Sequence, residues 1–149
     1  MKAIARHLPT AGRVLLGLVF FVFGLNGFLN FIPQPASVPE GAMAFGMAMI
    51  KTGYLFPLLK ATEVVSGVLL LSNRFVPLAL TFLAPIIVNI VAFHAFLEPS
   101  GLPIAIVVLA LEVYLAWTYR EAFRPMLVAR AKPATSEPSG SEARVRAHA

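Results

Sequence analysis

Four apolar runs, residues 12–32, 54–72, 75–97 and 102–119, divide this chain and leave it little choice of solvent. At about 1.5 Å of helical rise per residue, each is close to or longer than the roughly 30 Å of a bilayer's hydrocarbon core. Lipid cannot satisfy free backbone N–H and C=O groups, so such runs cross it as helices, whose hydrogen bonds are internal. Composition agrees: 58% of the residues are hydrophobic and 13% are charged, outside the usual range of a soluble domain. The sequence therefore predicts an all-α fold, a four-helix antiparallel transmembrane bundle over residues 1–119. Residues 120–149 read as a basic juxtamembrane segment and a disordered tail poor in large apolar residues. Lys2, Arg6 and Arg13 ahead of an apolar run have the order of a signal peptide. The run is too long for one and no small-x-small cleavage site follows, so it reads as an uncleaved first span.

The net charge of +5 points to topology rather than to nucleic acid once its position is considered. Lys2, Arg6 and Arg13 flank the first run, Arg74 lies between the second and third, and Arg120, Arg124, Arg130, Lys132, Arg144 and Arg146 follow the fourth. The opposite side has only Lys51. The bias of Lys and Arg toward the cytoplasm then puts both chain ends inside, with Trp117 and Tyr119 at the inner interface and Tyr54 at the outer one. In the first outer loop Ser37-Val-Pro-Glu40 has the form of a capping box, and Met43, Phe45, Met47, Met49 and Ile50 follow it. A short interfacial helix is expected there. It either packs across the outer end of the bundle or forms a Met-rich lid over a pocket.

Ionisable side chains within such spans each cost about 2.5 to 3.5 kcal/mol at the bilayer centre unless they find partners. Here they are Lys60, Glu63, His94 and Glu112, joined by the neutral Asn26, Asn30 and Asn89. Helical rise places Glu63 and Glu112 near the midplane. It sets Lys60, Asn26 and Asn89 roughly 5 Å outward, and Asn30 and His94 roughly 12 Å outward. A cavity opening outward beneath the interfacial helix accommodates this set. Lys60 and Glu63, at i and i+3, share a helix face with Gly67 and can pair. Asn26 and Asn30 share a face opposite Gly17 and Gly24, and Glu112 lies among Ala105, Val108, Ala116 and Tyr119. His94 is about 140° round a straight helix from Asn89, so it joins the cavity only if Pro85 bends the helix or if it caps the outer rim. Two carboxylates and one ammonium near the midplane leave an extra proton to be held, by Glu112 or by His94. The alternative for Lys60 and Glu63 is a salt bridge that only fixes helix register.

Other chemistries lack their residues. With no cysteine there is no disulfide, iron–sulfur or CxxC chemistry, so no redox cofactor is intrinsic to the chain. Only His94 among three histidines lies in a span, too few for a bis-histidine haem, since His7 and His148 are near the ends. No metal site is expected, because the Glu-x-x-His pair of four-helix carboxylate centres is absent.

The first run with Arg13-Val-Leu-Leu-Gly17 and Gly24, Lys51-Thr-Gly-Tyr54 leading to Lys60-Ala-Thr-Glu63-Val-Val-Ser-Gly67, the turn Asn73-Arg-Phe-Val-Pro77, and Asn89 before His94 occur in a characteristic order. In that order the chain resembles the DoxX family of small four-helix membrane proteins, over roughly residues 13–119. Asn26 stands where many relatives place a lysine. The resemblance implies a bacterial inner-membrane protein and a polar core of Lys60, Glu63, Asn89 and His94. It also implies a role as accessory membrane subunit or partner of an oxidoreductase, with quinone as the ligand in contact. A small-solute or proton-coupled carrier and a structural helper without activity of its own remain open, as does a homo-oligomer.

Overall fold

The computed structural model describes residues 2–33 and 37–130, with side chains from His7 onward. The expectation of a disordered tail, with Lys132, Arg144, Arg146 and His148, lies outside the described residues, as do the side chains of Lys2 and Arg6. The described chain is all-helical: α1 Lys2–Leu29, α2 Glu40–Lys51, α3 Leu55–Leu71, α4 Val76–Phe96, α5 Leu102–Thr118 and the single turn α6 Arg120–Phe123. Short 3-10 turns, Pro99–Gly101 and Arg124–Leu127, precede α5 and follow α6. Among the described residues three segments, His7–Leu29, Val76–Phe96 and Pro99–Thr118, are long and apolar enough to cross a membrane. The pair α2 and α3 reaches that length only together, across a bend of 94°.

The helix ends explain the connections. Asn30 closes α1 at φ 50°, a left-handed conformation that asparagine tolerates, and its N–H donates to Asn26 O at 2.9 Å. Thr52 joins α2 to α3, for its hydroxyl donates to Met49 O at 2.7 Å and accepts from Leu55 N at 3.0 Å. The 72–74 turn closes on α3 through Asn73, at φ 56°, and an Arg74 N–H bond to Leu69 O at 3.0 Å. The capping box does not form: Pro39 is the N-cap of α2 and no side chain caps it. Val38, as the residue before a proline, is held out of the α region, so the helix starts two residues later than a Ser37 cap would set it, with Glu40 in its first turn.

The four long helices pack in a ring in the order α1, α3, α4, α5, with α1 and α3 in the most extensive contact. Glycines set that contact. A Cβ on Gly67 would lie 2.7 Å from the backbone N of Phe21, and one on Gly24 would lie 2.9 Å from the backbone N of Val64. Small residues thus let two backbones touch, as in membrane helix pairs generally. Arg13, expected at the rim, is instead buried, and its guanidinium donates to Leu70 O and, at 3.3 Å, to Leu71 O. A cation there satisfies orphan carbonyls and suits the negative end of α3. The apolar core, with Leu16, Phe20, Leu70, Leu80, Leu83 and Leu115, fills the half of the ring nearer the α3–α4 turn. The other half is hollow. Large apolar side chains such as Leu18, Val65, Val88, Ile106 and Val113 face outward.

Candidate functional site

The hollow is a cavity of about 370 Å³ to which α1, α2, α3, α4 and α5 all contribute. Phe20, Phe23, Leu59, Ile90 and Val108 are among its apolar walls, and Lys60, Glu63, Asn89 and His94 are its polar residues. Helix α2 closes it on one side. Its lining residues Ala42, Phe45, Gly46 and Met49 follow the i, i+3, i+4, i+7 spacing of one helix face, while Met43, Met47 and Ile50 are exposed. The methionine stripe thus divides, one inward and two outward. Phe45 packs on Phe93 of α4, with ring centroids 5.7 Å apart.

Lys60 and Glu63 form the ion pair that their spacing predicts, Nζ to Oε2 at 2.8 Å. The Lys60 side chain is 19% exposed and that of Glu63 only 4%, so the pair sits in a wall of the cavity with its ammonium the more accessible member. The Phe56 ring lies 5.8 Å from Nζ and adds a cation–π contact. Gly27 of α1 faces the Lys60 stem, where any Cβ would overlap it.

His94 lines the cavity as a rim residue. Its Nδ1 lies 2.8 Å from Glu98 Oε2 and 3.0 Å from Glu98 O. Both oxygens only accept when Glu98 is ionised, so Nδ1 carries the ring proton and Nε2 is the nitrogen left for a ligand. Glu98, in the turn between the third and fourth apolar runs, is a partner of His94 that the sequence analysis does not single out; the signal is its i+4 spacing from His94. In that turn beyond α4, the Ser100 hydroxyl, the His94 ring and the Gly101 N–H all donate to Glu98. They hold its carboxyl below the usual carboxylate range, against the opposing effect of burial.

Asn89 also reaches the cavity, yet it is exposed within a helix apolar enough to span a membrane. The other three expected residues stand apart, Asn30 closing α1 without lining the cavity. Asn26 is not a lining residue; its Oδ1 accepts from Ile32 N at 2.7 Å and so fastens the end of α1. Glu112 is 5% exposed on α5, on the face with Ala105, Val108 and Leu115, and does not line the cavity. Its Oε2 and the Ser66 hydroxyl are buried with no hydrogen-bond partner among the described residues. The cavity therefore holds one carboxylate balanced by one ammonium, and the second carboxylate expected near the midplane is outside it.

The chain matches no protein-family model, no curated protein and no solved structure. Function must be argued from these side chains.

Proposed function

We propose that this chain is a DoxX-like protein of the bacterial inner membrane that holds the head of a lipid-soluble quinone and serves as the membrane partner of an oxidoreductase. In this reading α3 is a full crossing and the four long helices form an antiparallel bundle. Its 17 residues span about 25 Å, and the flanking Tyr54 and Ser72 bring it near the hydrocarbon thickness. The bend to α2 then lays that helix in the interface with Met43 and Met47 toward lipid. Arg13, Arg74, Arg120 and Arg124 lie at the end of the ring opposite Lys51, which supports cytoplasmic termini and a cavity on the outer side.

The observation that carries the proposal is the Lys60–Glu63 pair in the wall of a largely apolar cavity. A quinone head is flat, apolar on its faces and polar at two opposite oxygens, so it needs apolar walls and a few separated donors. The ammonium of Lys60 and the amide of Asn89 are such donors, and about 370 Å³ is room enough for a substituted six-membered ring. When bound, the quinone supplies two-electron redox chemistry; this chain contributes only binding and orientation and, at His94 Nε2, a place to hold a proton. Having no redox group of its own, the chain needs an enzyme partner to move electrons.

Two measurements test this. In lipid nanodiscs the protein should bind a decyl-tailed benzoquinone saturably, and an affinity-tagged chain drawn from its native membranes in mild detergent should bring an oxidoreductase with it. Absence of both results refutes the proposal.

A further inference from the structure

Beside the cavity lies a second recess, of about 400 Å³, between α3 and α4. Phe45, Met49, Leu59, Glu63, Asn89 and Ile90 line both, so the two form one bent space. Only Leu55, Pro85 and Ile86 belong to the recess alone, and all three are apolar. Of its lining residues Leu55 and Pro85 are exposed, Pro85 on a helix long and apolar enough to cross a membrane and Leu55 on α3, which the proposed function takes as a crossing. The recess therefore opens toward hydrocarbon rather than water. At the α2 end the way in is covered, since Ala42 is buried and Leu97 reaches within 3.3 Å of the Cβ position of Gly41.

We infer that this groove is the lateral entrance to the cavity and the seat of a single hydrocarbon tail: a lipid-soluble ligand slides in from the bilayer, places its head by Lys60 and Asn89, and leaves its tail along Leu55, Pro85 and Ile86. The inference rests on the proposed function and narrows its ligand to a single-tailed lipid with a compact uncharged head. Asn89 explains itself in this arrangement. It stands where the two spaces meet, exposed along the route that the head travels, and the ligand's oxygen gives its amide a partner that acyl chains cannot. Two-tailed phospholipids fit poorly, because one slot receives one chain.

The absence of native cysteine allows the entrance to be blocked after folding. Leu55→Cys protein in nanodiscs is titrated with a decyl-tailed benzoquinone and with the same head carrying a methyl group instead of the tail, before and after reaction with a bulky, membrane-permeant maleimide. Labelling should weaken the tailed probe at equilibrium by about tenfold or more and leave the equilibrium affinity of the tail-less probe unchanged while slowing the entry of both, with wild type unaffected by the reagent. Equal loss of equilibrium affinity for both probes, or unchanged affinity and entry of both, overturns the groove as entrance and tail seat. Failure of unlabelled wild type to bind either probe instead removes the quinone reading on which the entrance depends.

Discussion

Gly67→Val is expected to prevent accumulation of folded protein in the membrane. A Cβ at position 67 would lie 2.7 Å from the backbone N of Phe21 and 2.9 Å from its Cα, where no rotamer change gives relief. The same crossing is tight from the other side, at Gly24 against the backbone of Val64. Valine must push α1 and α3 apart, at a cost of about 3 kcal/mol, a large fraction of the roughly 5 to 15 kcal/mol that holds a typical domain together. Gly46→Ala is the matched control, since nothing lies within 4 Å of its Cβ position and alanine favours a helix. Thermal unfolding followed by size-exclusion chromatography should show Gly46→Ala at or above wild type and Gly67→Val aggregated. A Gly67→Val protein that melts like wild type means that α1 and α3 do not touch there.

Lys60→Met should cost roughly 3 to 5 kcal/mol, because it strands the Glu63 carboxylate, 4% exposed, without its cation. Lys60→Met combined with Glu63→Leu removes both charges, and stability should return to within about 1 kcal/mol of wild type or exceed it. Quinone binding should not return with it. This contrast separates a ligand-binding pair from one that only sets helix register, for a structural helper would keep every cellular property once its fold is restored. A stable double variant that still binds the tailed quinone would make the pair structural.

Much of this architecture was legible because lipid imposes a simple rule on sequence: long apolar runs become helices. The expected runs end within a residue or two of α3, α4 and α5, and Lys60 with Glu63 paired as their i,i+3 spacing required. Expectations failed where a local pattern competed with chemistry from elsewhere in the chain. Ser37 and Glu40 have capping-box spacing, but Pro39 between them moves the helix start. Arg13 has the look of a topology signal, yet the unsatisfied carbonyls that end α3 draw it inward. Asn26 was counted with the cavity on depth alone, whereas a nearer demand, the Ile32 N–H beyond the end of α1, takes its side-chain oxygen. Depth likewise grouped Glu112 with Glu63, but Glu112 lies about a turn beyond Val108 on the same face of α5, buried past the end of the cavity rather than in its wall. Glu98 escaped notice because a Glu-Pro-Ser-Gly turn is explained without function; only its contact with His94 reveals more.

Photochemical labelling with an azido-substituted, tailed benzoquinone, mapped by mass spectrometry on protein in its native membrane, tests the cavity most directly. Labelling should be saturable, displaced by unlabelled quinone, and confined to the cavity-lining residues, Val19 to Phe23, Phe45 and Met49, Leu55 to Glu63, Pro85 to His94, and Ala105 with Val108. Non-displaceable labelling spread over the outward faces of α5, at Ile106, Val113 and Trp117, would mean that the quinone meets this protein only as bulk lipid does.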